Sequence, residues 1–306
     1  MEKIKLLDHF TLVEYNGVPY PEGYTADICE VARHLDKDSI EITGSYSLHT
    51  EYSYGKRKLD SVFIKKFPEL VSANKDGVPQ LWKSIEWASE FADFISELTR
   101  DQTPPTIVEV HPPFNDYCTM VDFATRFEVF EKKLHVIYPN AQIFIENRAG
   151  AVYRGGKFLV GKATEIVALC ETIEAYNLNL GIVLDFPQLL TAENIDPLKF
   201  KAEKYLAAVR AIDPWKSYIK GIHIWGKKKS SKGGWVAHAG NLNTYFGGCK
   251  EVKTLFLSGI RQICDDGTLR FLVPEINTGS EDLASIIHDL KYNLYDTENS
   301  LFHLCH

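Results

Sequence analysis

The sequence lacks the features of a membrane protein and of a disulfide-rich protein. No run among its 306 residues approaches the roughly 20 apolar residues of a membrane-spanning helix. The first ten residues, MEKIKLLDHF, contain no apolar core of a signal peptide. The six cysteines are scattered and form no CxxC pair, so we expect reduced thiols rather than a disulfide framework. These absences predict a cytoplasmic protein with no membrane partner.

Low-complexity linkers and domain breaks are also absent. A chain of this length fits either two ordinary domains or one large α/β barrel. The apolar fraction of 45% and the charged fraction of 25% are those of a globular protein. The formal net charge of −7 argues against a broad nucleic-acid footprint, although a local one remains compatible with it.

What the sequence does contain is an alternation of strand-like and helix-like segments. The strand candidates are mostly continuous apolar runs, as in strands covered on both faces, and they span 4–10, 39–43, 46–49, 106–111, 142–146, 180–185, 219–225 and 271–275. Helical spacing marks 26–34, 81–98, 121–137, 164–175, 198–211, 252–264 and 281–294. About eight such units predict an α/β fold, a (β/α)8 TIM barrel, as a single domain over residues 1–306.

One junction fits this barrel badly. Only Gly44 and Ser45 separate the second and third strand candidates, whereas a parallel crossover needs about a dozen residues or more. Either 39–49 is one long strand, or the barrel is irregular around its second and third strands. The segment 53–80 is predicted to be a long loop or a loose helical excursion.

Six strand candidates close on a histidine or a carboxylate at or near the carboxyl end: His49, His111, Glu146, Asp185, His223 and Glu275. In a barrel these ends converge on the face that carries the active site. Capping residues would instead be mostly Ser, Thr, Asn, Asp and Gly. The pattern therefore predicts a metal site.

Three imidazoles and three carboxylates suit Zn, Mn or Fe better than Mg or Ca. Six ligands exceed the needs of one tetrahedral ion, but a carboxylate that bridges two ions about 3.5–4 Å apart uses them all. Glu146 is central in the set, so we predict that it is the bridge. Two divalent ions, Zn or Mn, would neutralise a charge that is otherwise costly to bury.

At these residues the chain resembles the xylose-isomerase-like TIM-barrel superfamily and, within it, the endonuclease IV family of apurinic/apyrimidinic endonucleases. The similarity covers roughly residues 46–278, with gaps, and its motifs are specific only in combination. They are HTEY, VHPPF, IFIENRAG, LGIVLDFPQLL, GIHIWGKKKSSKGGWVAHAG and FLVPEIN. In the fifth motif, His238 lies as far beyond His223 as the next ligand histidine of that family does.

The resemblance implies one ion held by His49, His111 and Glu146. It implies a second ion held by four residues, with a water or hydroxide between the ions as the nucleophile: Glu146, Asp185, His223 and Glu275. Of these, Glu146, Asp185 and Glu275 would be the catalytic carboxylates. The positions of the family's third-ion ligands are occupied by Gln188, Val236 and His238, so that ion is expected to be lost.

This reading predicts a metal-dependent phosphodiester hydrolase that acts on nucleic acid with an abasic or damaged site. The predicted substrate-binding residues are Tyr52, Arg148, Arg154, Gln188, Lys227, Lys229 and His238. Of the aromatic residues, Tyr52, Tyr153 or Trp235 could stack on bases or wedge between them.

Two alternatives stay open at this level. A sugar isomerase or epimerase of the same superfamily would hold one ion, and two carboxylates would move a proton between carbons. The lost third-ion ligands and the acidic net charge favour it, whereas the ENRAG motif and the spacing of His223 and His238 favour the nuclease branch. A binding or regulatory barrel with a structural metal is the other alternative, although such a site closes with four ligands.

Overall fold

The computed structural model describes residues 6–15, 17–32, 42, 44–50 and 61–292. Its strands are β1 (Phe10–Glu14), β2 (Ile28–Ala32), β3 (Tyr46–His49), β4 (Ile107–Val110), β5 (Gln142–Glu146), β6 (Ala151–Tyr153), β7 (Gly156–Lys157), β8 (Gly181–Asp185), β9 (Ile219–Ile224), β10 (Lys227–Lys229), β11 (Trp235–Ala237) and β12 (Arg270–Pro274). Eight of them close a parallel barrel in the order β1-β12-β9-β8-β5-β4-β3-β2. The predicted (β/α)8 barrel is therefore confirmed.

Helices surround this barrel on the outside. They are α1 (Ser61–Lys66), α2 (Pro68–Val71), α3 (Ile85–Leu98), α4 (Met120–Ile137), α5 (Ala163–Tyr176), α6 (Phe186–Ala192), α7 (Ala202–Ile212), α8 (Leu242–Tyr245), α9 (Lys250–Cys264) and α10 (Ser280–Tyr292). Within the described residues, none of them is long and apolar enough to cross a membrane.

The helix starts are encoded locally. The Ser84 side chain accepts a hydrogen bond from the Trp87 amide at the start of α3, and Thr119 and Asp122 form a capping box at the start of α4. Aromatic rings of both helices pack around the buried Trp82 in tilted or edge-to-face geometry.

An apolar plug fills the amino-terminal half of the barrel interior. Ile107, Phe144 and Val183 form one buried cluster, and Phe271 packs against it. A Cβ at Gly181 would lie 2.6 Å from the Phe144 ring, so the missing side chain there makes room for the plug. Polar side chains at the opposite strand ends consequently rest on an apolar, low-dielectric floor.

The start of the barrel differs from the prediction. Leu6–His9 is a 3-10 helix and the first strand begins at Phe10, so the strand predicted at 4–10 is wrong where it is described. The predicted helix at 26–34 is also wrong, because Ile28–Ala32 is β2 and pairs with both β1 and β3. In this strand Glu30 is buried in the barrel, and a charged residue between apolar ones imitates an amphipathic helix in the sequence.

This correction removes the difficult junction. Because β2 ends at Ala32 and β3 begins at Tyr46, the connection is long enough for a parallel crossover. Of the strand predicted at 39–43, only Ile42 belongs to the described residues. A single domain over 1–306 also reaches beyond the described residues and stays a prediction.

Candidate metal centre

Six buried side chains from six barrel strands meet at the carboxyl ends of those strands. His49 and Glu146 end β3 and β5, Asp185 ends β8, and His223 lies within β9. His111 and Glu275 are each the first residue after a strand, β4 and β12 respectively. The structure thus brings together all six residues that the sequence predicted as metal ligands.

The first half of the centre is a compact triangle of donor atoms. His49 Nε2 lies 2.9 Å from His111 Nε2, and Glu146 Oε2 lies 3.0 Å from His111 Nε2 and 3.5 Å from His49 Nε2. Tetrahedral zinc with bonds of about 2.0–2.1 Å separates its ligands by about 3.3 Å. These three atoms therefore have the spacing of ligands that share one ion.

The second half lies on the other side of Glu146. Donor atoms of Glu146, Asp185 and His223 lie within 4.8 Å of one another. His223 Nδ1 is 3.9 Å from Glu146 Oε1 and 3.5 Å from Glu275 Oε1. The two oxygens of Glu146 thus face different histidine groups, which is the arrangement of a bridging carboxylate.

Burial and mutual repulsion disfavour negative charge on two of the carboxyl groups. Burial raises the pKa of Asp185 to about 8, and the charge of Glu146 adds to this shift. Burial also raises the pKa of Glu275 well above its usual value, against the opposing effect of His223. By contrast, Arg148, His111 and His49 outweigh burial at Glu146 and hold its pKa well below the usual value.

The pKa values of the three histidines are also shifted in different directions. Burial alone would lower the pKa of His49 and of His223, but the surrounding carboxylates, Glu109 foremost, raise both well above the usual value. Burial and the charge of Arg148 lower the pKa of His111 to about 4. A bound cation would neutralise the carboxylates in place of the protons on these side chains, so its binding would release protons, as is usual for metal sites.

The donor set fits a divalent transition metal. Both ring nitrogens of His223 and Oε1 of Glu109 are buried without a hydrogen-bond partner among the described residues, and buried polar atoms of this kind call for a ligand. Mixed nitrogen and oxygen donors suit Zn or Mn rather than Mg or Ca.

Neighbouring side chains hold Asp185 in place. Its Oδ2 accepts a hydrogen bond from Trp225 Nε1 at 2.7 Å, and its Oδ1 accepts one from the Gln188 amide at 2.7 Å, which caps α6. Asn147 bonds the backbone of Asp185 through both ends of its amide. Such supports fix the direction in which a ligand points.

Cationic groups flank the mouth of the centre. Arg148 Nη1 is 3.3 Å from Glu146 Oε2, and 24% of its side chain is exposed. Burial lowers the pKa of Lys227 while the charge of Asp185 opposes this, so the ammonium group lies in the field of the centre. Lys229 is exposed and lies 5.7 Å from the ring centroid of Trp235 in the β10–β11 hairpin.

Other residues that the sequence predicted around the site are exposed or form hydrogen bonds with the backbone. Arg154 is exposed in the turn between β6 and β7. Gln188 Oε1 accepts a hydrogen bond from the Ala149 amide, and Val236 is exposed on β11. Tyr52 lies outside the described residues.

His238 contacts the edge of the centre. Its Nδ1 is 3.4 Å from Glu275 Oε2, and its ring stacks on Trp225 at 4.6 Å. The donor clusters found among the described residues do not include it. This arrangement is compatible with the predicted substrate-binding role of His238.

Two buried carboxylates escaped the sequence analysis. Glu30 lies in β2 and Glu109 in β4, and both point into the barrel beside the predicted ligands. Glu109 stands two residues before His111, which puts both side chains on one face of the strand. That spacing could have revealed Glu109, whereas Glu30 was hidden by the wrong helix at 26–34.

Comparisons with known proteins add the following. No protein-family model matches the chain, and no curated protein matches it. Similar solved structures include a D-tagatose 3-epimerase-like protein, which is 14% identical, with 93% of this chain and 97% of that one covered and a TM-score of 0.48. They also include an AP endonuclease of family 2 from Brucella melitensis, at 9% identity, 92% and 99% coverage and a TM-score of 0.46.

The GH53 catalytic domain of Ignisphaera aggregans is about as similar, at 10% identity, 86% and 84% coverage and a TM-score of 0.48. Two of these three descriptions name an epimerase-like protein and an AP endonuclease, and the third names a GH53 catalytic domain. At these identities the likenesses concern the barrel and assign no activity to this chain.

Proposed function

We propose that this protein is a divalent-metal-dependent phosphodiester hydrolase with a two-ion centre. The observation that carries the proposal is the division of Glu146, whose Oε2 faces His49 and His111 while its Oε1 faces His223. A carboxylate used in this way joins two ions, and paired ions are typical of phosphoryl-transfer sites.

In this proposal His49, His111 and Glu146 hold one ion. The other is held by Glu146, Asp185, His223 and Glu275. When bound, the pair would supply Lewis acidity toward a phosphoryl oxygen and lower the pKa of a water molecule. The chain itself would position these donors over the apolar floor, which excludes bulk water and strengthens every electrostatic interaction above it.

The cations at the mouth suit an anionic substrate. Arg148 reaches from Glu146 toward solvent, and its planar guanidinium can bind phosphate oxygens in pairs. Lys227 and Lys229 line the β10–β11 hairpin, where 47% of Trp235 is exposed. Alternating cations and an exposed indole are features of surfaces that bind single strands or flipped bases. We therefore propose nucleic acid with an abasic or damaged site as the substrate.

A sugar isomerase or epimerase is the second candidate. Glu146 and Glu275 approach His223 Nδ1 with one oxygen each, at 3.9 Å and 3.5 Å. Two carboxylates beside one ion could remove a proton from one carbon of a sugar and return it to the next. This reaction would require the second ion alone, so His49 and His111 would be dispensable for metal binding.

Replacement of His111 distinguishes the two candidates, because His111 belongs only to the first ion. We expect the wild type to bind two ions per chain and to cleave a duplex with an abasic site, and His111→Ala to bind one ion and lose cleavage. Glu171→Gln, on the exposed face of α5, changes a carboxylate far from the centre and serves as control.

A different result would overturn the proposal. If the wild type binds a single ion, leaves the duplex intact and interconverts ketoses, and if His111→Ala retains this activity, the protein is an isomerase or epimerase. The melting temperature of each metal-free variant, compared with that of Glu171→Gln, shows that the fold is intact.

A further inference from the structure

Glu30 and Glu109 lie close to two of the proposed ligands, although neither belongs to the ligand set. Glu30 is 8% exposed and Glu109 is 2% exposed, so their charges are almost completely removed from water. A buried carboxylate is costly unless it is paired or bonded. Each therefore requires a partner, and in both cases the nearest one is a histidine.

Glu30 contacts the ring nitrogen of His49 that faces away from the centre. Its Oε1 lies 3.1 Å from His49 Nδ1, while His49 Nε2 faces His111 and Glu146. With Nδ1–H donating to Glu30, the lone pair of Nε2 points at the first ion. The carboxylate thus selects one tautomer of the ring.

Glu109 stands in the same relation to His223, with the nitrogens exchanged. Its Oε1 lies 3.5 Å from His223 Nε2 and 3.6 Å from His49 Nε2, while Nδ1 of His223 faces Glu146 and Glu275. The distance is a few tenths of an ångström longer than a hydrogen bond. Neither Glu109 Oε1 nor His223 Nε2 has another hydrogen-bond partner in the described part of the chain, so a small rotation of the ring completes the pair.

We propose that Glu30 and Glu109 are positioning residues that fix His49 and His223 in opposite tautomers. His49 then binds through Nε2, and His223 binds through Nδ1. Glu30 acts through His49 from the far side of that ring. Glu109 is assigned to His223, the nearer of the two imidazoles that its Oε1 faces, and loss of one ion in the Glu109→Gln variant would instead make it a ligand of the first ion. The inference rests on the metal centre of the proposed function and is independent of the substrate.

The rival interpretation is a third ion held by Glu30, Glu109 and His223, whose donor atoms lie within 4.8 Å of one another. Charge balance argues against it. The five buried carboxylates and Arg148 sum to −4, which two divalent ions neutralise, whereas a third would leave an uncompensated +2 above the apolar floor. His223 would also have to bind ions through both nitrogens and lose both of its protons.

Binding of Co²⁺ tests the inference without any assay of activity. The variants are Glu30→Gln and Glu109→Gln, which keep an acceptor oxygen, and Glu30→Leu and Glu109→Leu, which remove it. We expect two Co²⁺ per chain throughout, with affinity about 10–100-fold weaker in the Leu variants and a smaller loss in the Gln variants. The visible absorption bands of the bound Co²⁺ should shift in the Leu variants because the histidine rings are no longer held.

Each other outcome has a definite meaning. Three ions in the wild type and two in Glu109→Gln would overturn the inference in favour of a third ion held by Glu30, Glu109 and His223. Unchanged affinity and spectrum in folded Leu variants would overturn it while the two-ion centre stands. No metal in the wild type would overturn the proposed function as well. If the Leu variants fail to fold, Glu30→Ala and Glu109→Ala, which also remove the acceptor oxygen, replace them with the same expected loss, and unchanged affinity and spectrum in folded Ala variants refute the inference.

Discussion

Asn147 forms two hydrogen bonds with the backbone of Asp185 and so joins the carboxyl ends of β5 and β8. Its Oδ1 accepts a bond from the Asp185 amide at 2.8 Å, and its Nδ2 donates to the Asp185 carbonyl at 3.1 Å. Asn147 is completely buried. The residue therefore sets the position of Glu146, its neighbour in sequence, relative to Asp185.

Asn147→Leu should destabilise the fold and disturb the centre. The substitution removes both bonds and leaves the buried amide of Asp185 without its acceptor, so we expect a loss of roughly 1–3 kcal/mol in the free energy of unfolding. Urea denaturation of the metal-free protein measures it. Asn140→Leu, at an exposed position, is the control, and an equal loss there would contradict the role assigned to Asn147.

Glu146→Gln should release both ions. Because Glu146 faces both histidine groups, its charge stabilises both sites, and the loss of affinity should exceed the roughly 10–100-fold effect of removing a group that only supports a ligand. Elemental analysis after dialysis gives the metal content. Glu275→Gln is the matched variant because the ion pairs of Glu275 are with His223 and His238, outside the first set, and it should retain one ion. Two ions retained in Glu146→Gln would refute the bridge.

Much of this centre could be predicted from sequence because its ligands end continuous apolar strands. Asp185 alone could be explained as the cap of α6, but a buried parallel strand seldom closes on His49 or Glu146, and the barrel then dictates where these side chains meet. The prediction failed where the local pattern was ambiguous. Ile28–Ala32 carries Glu30 among apolar residues, and only the barrel shows that this carboxylate faces the interior.

The hydrogen bonds that support the proposed ligands could not be predicted from the sequence. Trp225 and Asp185 are 40 positions apart, and their hydrogen bond depends on the register of β8 against β9. The motif around Gln188 indicated a lost ligand, but it could not show that this side chain accepts a bond from the Ala149 amide. Such pairings arise from tertiary geometry, which single-sequence patterns do not carry.

Trp225→Phe should weaken the second ion selectively. Phenylalanine keeps the packing against His238 but removes the indole N–H that donates to Asp185 Oδ2. We expect about 10-fold weaker binding of the second ion and no change for the first. Stepwise titration with Co²⁺ separates the two. Asp185→Asn should cost chiefly the same ion, and equal weakening of both ions in either variant would contradict this assignment.

The basic groups outside the centre should govern the salt dependence of nucleic-acid binding. If Lys229 and Arg154 each neutralise one phosphate, replacement by alanine should reduce the slope of log K against log salt by roughly 0.7–0.9 per residue. Arg210→Ala is the control, since Arg210 is exposed in the last turn of α7, at the opposite end of the barrel. Equal slopes in all variants would refute a phosphate contact at these positions.

Asp266 and Arg270 should make stability depend on pH. Arg270 is completely buried at the start of β12 and donates to both oxygens of Asp266 at 2.8 Å. These bonds hold the pKa of Asp266 well below its usual value. Since the folded pKa is depressed, the stabilisation is fully present above the unfolded value of about 3.9 and is lost as pH falls toward the folded one.

Asp266→Asn would leave the buried guanidinium without its counter-charge. We expect it to lower the free energy of unfolding by roughly 3 kcal/mol at pH 7, and we expect the difference from the wild type to shrink steadily below about pH 4. Chemical denaturation at a series of pH values measures both. Asp101→Asn, an exposed change after α3, should follow the wild type. A difference that stays constant down to pH 2 would contradict the ion pair as its cause.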